Sequence, residues 1–184
     1  MKYYRLTQSF NESARWFLGS PTLEGEAIDP RSFTEARATD MNKQLIIPLR
    51  KEGPRLEITL ADYDMPVFSK RAVEAIYDIV ENSIDLVPAK VGNSDDLMFV
   101  VNVTKLIDCV DEEKSEFSRW REGDGLPHKI GQYKSIFVLI IDKSVVRGND
   151  IFRVKGWEVA LIVSEKIVSR LTSIGVKGVN FIEV

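Results

Sequence analysis

A chain of 184 residues is long enough for one domain of usual size, which buries roughly 70% of its unfolded surface and needs no disulfide or metal to fold. The net charge of −3 argues against nucleic acid as the main partner, because gripping phosphates takes a basic face. The lone cysteine, Cys109, excludes an intrachain disulfide and suits a reducing compartment.

The chain opens on a short strand, Lys2 to Leu6. That opening lacks the long apolar core of a signal peptide, and no apolar run nears the ~18 residues of a membrane span. The expectation is a soluble cytoplasmic protein with no membrane partner. Residues 10–39 are irregular, punctuated by Gly19, Pro21, Gly25 and Pro30, with Trp16-Phe17-Leu18 as an anchor onto the core. Gln44–Leu49 and Arg55–Leu60 read as two strands of a hairpin turning at Gly53-Pro54. A loop, Asp62 to Pro66, leads into a helix capped by Ser69, and then into a strand containing Ile84 and Leu86. Leu97–Ile107 reads as one buried strand, and Asp108–Gly131 as a long polar excursion. Ser135–Ile141, Ile151–Val154 and Val159–Val163 are further strands. The second helix starts at an N-cap, Ser164, with Glu165 in its first turn. Its apolar face is Ile167, Val168, Leu171 and Ile174, and Gly175 ends it in a left-handed turn before a last strand, Val179–Val184.

The two helices stand in matching contexts. Ser69 and Ser164 lie 95 residues apart, and at that offset Val73 meets Val168, Ile76 meets Leu171, Ile79 meets Ile174, and Ile84 and Leu86 meet Val179 and Phe181. This is either a duplication, with halves 1–95 and 96–184 inside a domain spanning 1–184, or a chance recurrence of a common pattern. A duplication would set both helices on one sheet with like geometry. The fold class that follows is α+β: a mixed, mostly antiparallel sheet, parallel across the two helices, with two helix–strand units.

Catalytic chemistry finds little footing. His128 is the only histidine and lies in a Gly/Pro-rich loop without a nearby nucleophile. Cys109 sits beside Asp108 and Asp111, whose charges disfavour a thiolate. One Cys and one His do not make a zinc site, Asp62 and Asp64 serve a turn, and no phosphate-cradling glycine loop is present. No catalytic residue, metal or cofactor is expected.

The charge distribution is more informative. Between Asp108 and Asp124 seven acids face three bases. Phe117 and Trp120 lie inside that window at a spacing that a helix would bring side by side. One reading is a solvated acidic face. The other is a binding surface made of Asp111, Glu112, Glu113, Glu116, Phe117 and Trp120, an aromatic anchor ringed by acids and suited to a basic partner.

Several stretches, in order along nearly the whole chain, resemble family eleven of the immunity proteins of bacterial polymorphic toxin systems. They are Met1–Leu6, Asp62–Ser69, Leu97–Val103, Asp108 with Asp111 and Ser115, Ile151–Arg153, Val163–Glu165 and Gly175–Val184. The resemblance brings no catalytic residue. It implies a non-catalytic protein that binds and neutralises a cognate toxin, a basic nuclease-type toxin in the reading that makes the acidic window the contact. The alternative is a small-molecule-binding or enzymatic domain whose site is assembled from residues distant in sequence.

Overall fold

The computed structural model of the chain describes residues 1–10 and 15–184; residues 11–14 of the irregular stretch lie outside the described residues. In chain order the elements are β1 (Tyr3–Gln8), β2 (Phe17–Leu18), β3 (Thr22–Leu23), β4 (Glu26–Ala27), β5 (Leu45–Ile47), β6 (Leu49–Lys51), β7 (Ile58–Leu60), β8 (Pro66–Ser69), α1 (Lys70–Glu74), α2 (Tyr77–Val80), β9 (Ile84–Val91) and β10 (Leu97–Val103). There follow β11 (Leu106–Ile107), β12 (Glu116–Arg119), β13 (Tyr133–Val138), α3 (Lys143–Val146), β14 (Ile151–Val154), β15 (Trp157–Ser164), α4 (Glu165–Ser173) and β16 (Val179–Glu183). The fold is α+β, with mixed, mostly antiparallel sheets. One sheet has the order β4-β3-β5-β9-β10-β8-β7, a second the order β11-β14-β15-β1-β16, and β2-β6 and β12-β13 form two small ribbons.

Two expected strands come apart. Gln44–Leu49 and Arg55–Leu60 are not a hairpin: β5 runs parallel to β9 and β7 pairs with β8. Pro48, with no N–H to donate, divides β5 from β6, which turns away to pair with β2. Leu97–Ile107 also splits, and its end, β11, crosses to the other sheet to lie parallel to β14.

The helix–strand units share one topology. β8 leads through α1 and α2 to β9, and β15 leads through α4 to β16. In each case the flanking strands are parallel but not adjacent, because a third strand lies between them and is antiparallel to both: β10 in the first unit and β1 in the second. The register repeats at the same 95-residue offset. Met98 faces Ser69 as Tyr3 faces Ser164, and Val101 faces Leu86 as Leu6 faces Phe181. Thr104 donates its N–H to Ser83 O as Ser9 donates to Gly178 O, both at 2.9 Å. An outer hairpin recurs too: Ser69 N–H reaches Glu57 O at 2.7 Å, and Ser164 N–H reaches Asp150 O at 2.8 Å. The inserted strands are exchanged. β1, from the start of the chain, completes the C-terminal sheet, and β10 completes the sheet of the N-terminal half.

Alternation along the strands sorts side chains onto both faces. Val101, Val103, Phe68, Leu6, Leu161 and Val163 face a central core together with Ala72, Val73 and Ile76 of the first helical segment and Ile167 and Leu171 of α4. The two helices therefore sit on two different sheets around one core, and not on one sheet. Asp78 pairs with Arg170 across them at 3.2 Å. The opposite faces close two further cores: Met98, Val100, Val67 and Val87 with Trp16 and Phe33, and Tyr3, Phe152, Ala160 and Ile162 with Cys109 and Ile136. Burial on both faces is why Met98–Val101 and Ala160–Val163 read as unbroken apolar runs. Trp16 and Leu18 do anchor their segment, and Trp16 Nε1 donates to Thr59 Oγ1 at 2.8 Å.

Candidate functional site: the β12–β13 ribbon

The polar excursion folds back on itself. Ser115 Oγ accepts from Ile140 N–H and donates to Ile140 O, which ties the base of the ribbon. From there Glu116 faces Val138, Phe117 faces Ile136, Ser118 faces Ser135 and Arg119 faces Tyr133, with register shifts on either side of Phe117-Ser118. Trp120 closes the ladder by exchanging backbone bonds with Gln132 and Gly131 at 3.0 Å each. The middle of the window, Glu116–Arg119, is thus a strand and not a helix. Phe117 and Trp120 do not stack on one helical face. Phe117 packs edge-to-face on Tyr133 at 5.1 Å and leans with it on the Ile136 core, while Trp120 holds Lys129 and Lys134 over its ring at 5.6 and 4.8 Å.

The acids divide into two groups. Asp111 pairs with Lys114 at 2.5 Å, and that bond draws its carboxyl below the usual range. Glu112 accepts from the Tyr133 hydroxyl and from Arg119, which lowers its pKa in turn. Burial, then the bond to Glu112, pushes the Tyr133 phenol up to about 12. Asp124 pairs with Lys134 at 2.6 Å and Asp108 with Lys155 at 3.1 Å. Glu113, Glu116 and Glu122 are exposed and make no salt bridge among the described residues. Lys134 and Lys155 come from outside the window, so the local charge of the fold is less negative than the sequence segment.

Beside the ribbon lies a cleft of about 400 Å³ walled by Trp120, Tyr133, Trp157, Tyr63 and Arg31. Its residues come from five separate segments. Tyr63 and Asp64 are both left-handed, at φ 57° and 56°, a strained pair for non-glycine residues. Arg153 is fully buried behind the cleft, donating to Glu158 O and Val159 O, and burial draws its pKa down to about 10.

A family model described as Immunity protein family (Imm11) matches residues 83–184, more than half of the chain. The chain belongs to that family. The Imm11 match takes in β9 to β16 and the whole ribbon, but not β1, the strand that joins β15 to β16 in their sheet. No curated protein matches the chain.

The other candidate residues of this Imm11 protein lie apart from one another. Cys109 is buried, and burial, then Asp108 and Asp142, push its thiol up to about 12. His128 is exposed in a 3-10 turn, Pro127–Lys129. Among the described residues no group of three or more His, Cys, Asp or Glu side chains stands where it could hold a metal ion, and no helix is long and apolar enough to cross a membrane. Sequence reasoning counted Arg121 only as a base of the window and did not single out Phe137 or Lys134. Phe137 belongs to a run that reads as buried strand, yet it is 73% exposed. Phe137 points away from Ile136 in the strand, but a run that is apolar throughout, Ile136–Ile141, carries no sign of which face is covered.

Proposed function

We propose that the chain is a non-catalytic immunity protein that binds and neutralises a cognate toxin in the cytoplasm of the cell that makes it. The ribbon is its contact surface. Membership of the immunity family carries this reading, and the matched segment contains the ribbon whole. Of the six residues expected to meet the toxin, Glu113 and Glu116 are the free carboxylates. They steer a basic, nuclease-type toxin, since complementary charge speeds encounter. Asp111 and Glu112 shape the ribbon through their internal pairs, Phe117 seats it on the core, and Trp120 forms the wall of its cleft. The test uses the toxin encoded directly upstream. The chain is expected to rescue growth when co-expressed with it, and His128→Ala to rescue equally well. Glu113→Ala with Glu116→Ala is expected to slow association about 10-fold at low salt and to flatten its salt dependence. Unchanged association at low salt would remove the steering role.

A second reading rests on the cleft of about 400 Å³. That is the size of a small-ligand site, and its lining is drawn from distant segments. Trp120→Ala would then abolish a ligand-induced rise in melting temperature while leaving toxin rescue intact.

A further inference from the structure

The outer face of the ribbon carries a second feature, on the side away from the Ile136 core. Ser118 and Ser135 face each other there, their hydroxyls 2.8 Å apart. Two such small side chains in register leave a floor with nothing above it. Phe137, Arg119, Arg121 and Lys134 stand around that floor and enclose a concavity of about 610 Å³. Three cations line it against one carboxylate, Asp124. Two of the three are engaged, Arg119 with Glu112 and Lys134 with Asp124. Arg121 makes no salt bridge among the described residues. An exposed aromatic beside a guanidinium that Asp124 influences without forming a salt bridge, over a small polar floor, is the composition of an interface anchor: apolar area for burial and one charge to fix orientation.

We infer that this concavity receives a projecting segment of the partner toxin that carries a carboxylate for Arg121 and an apolar side chain for Phe137. The inference rests on the toxin-binding reading above and names the second contact of the same ribbon. Charge chooses the occupant. A second copy docking through the same face would be two-fold symmetric, and would bring the cationic lining onto its own image. An acidic, apolar-tipped segment meets both features. Glu113 and Glu116 lie toward the base of the ribbon and Arg121 toward its tip, so the partner meets negative charge at one end and positive at the other, and its register is set.

The experiment measures binding of the full chain to a catalytically inactivated form of the toxin encoded directly upstream, by calorimetry, with thermal melting and sedimentation in parallel. Phe137→Ala and Arg121→Glu are each expected to weaken binding about 30-fold or more, with melting temperature unchanged. Lys143→Glu, an exposed cation at the start of α3, is expected to leave affinity unchanged. Should Phe137→Ala lower the melting temperature, Arg121→Glu decides, because it removes no buried surface. Wild-type affinity in both variants, with the wild type still binding and protecting, would overturn the inference and leave the function standing. Failure of the wild type to bind would overturn both. A dimer of the chain that Phe137→Ala dissociates would give the face to a second copy and overturn the inference as well.

Discussion

The two helix–strand units agree in strand register and differ in how each helix is closed. In the second unit α4 runs unbroken over nine residues and ends in a Schellman motif: Gly175 is left-handed at φ 67°, its N–H reaches Thr172 O at 2.9 Å, and Val176 N–H reaches Leu171 O at 3.1 Å. The position matching Gly175 in the first unit is Val80, which cannot take that conformation cheaply. There the helix breaks at Ile76 into α1 and α2, with three-residue bonds from Ile76 to Val73 and from Ile79 to Ile76. The same β–α–β frame thus tolerates two different helix ends, because the strands and the shared core hold it. The helix itself is the replaceable part.

The sharpest break in the comparison comes just before the last strand of each unit. Gly178 and Ser83 are equivalent, and each carbonyl receives the inserted strand's N–H at 2.9 Å. Gly178 nevertheless has φ 104°, and a Cβ there would stand 2.0 Å from Ile58 O. Importing the first unit's residue, Gly178→Ser, is expected to cost more than about 3 kcal/mol or to prevent folding, since strain and a backbone clash combine. Urea denaturation checks this. Near-wild-type stability would mean that Gly178 does not stand against the Ile58 carbonyl.

The exchanged strands supply the next effect. Leu6 and Val101 are equivalent, both are buried, and both line the central core from opposite sheets. Leu6→Ala is expected to cost about 3 kcal/mol and Val101→Ala about 2 kcal/mol, by lost burial plus cavity. We further propose that the halves 1–95 and 96–184 form one cooperative domain, so that each variant unfolds in a single transition. Two separated transitions in denaturant would show that the halves unfold as independent units.

Much of this frame was legible in the sequence, because local signals and tertiary demand agreed. Ser69, Gly175 and the 3-and-4 spacing of Ile167, Val168 and Leu171 each mark a helix end or face by local chemistry, and the 95-residue offset carried through to the strand register. What sequence could not reveal was partner choice. Nothing in Tyr3–Gln8 says that it will lie between β15 and β16, and the turn residues Gly53-Pro54 promised a hairpin that Pro48 and the pull of β8 and β9 undid. In the candidate site, charge was read along the chain, but Lys134 and Lys155 neutralise the acids from outside the window. Phe137 was hidden in an apolar run whose alternation the short ribbon reverses toward solvent.

The smallest difference between the units is one hydroxyl. Ser69 and Ser164 both precede a helix in extended backbone, at φ −66° and −75°, and from sequence both are N-caps of equal worth. Ser69 Oγ accepts from Ala72 N–H at 3.1 Å. Ser164 makes no such bond: its hydroxyl is buried and has no hydrogen-bond partner among the described residues. The local sequence is equally permissive in both places, so tertiary packing decides which rotamer is used. Ser69→Ala is therefore expected to cost about 1 kcal/mol, the usual value of a cap. Ser164→Ala removes a buried polar group that satisfies nothing, and is expected to change stability by less than about 0.5 kcal/mol or to raise it slightly. Both are read from denaturation midpoints at constant slope. Equal losses in the two variants would mean that Ser164 turns to cap α4 in solution, and that the units are more alike than their side chains stand here.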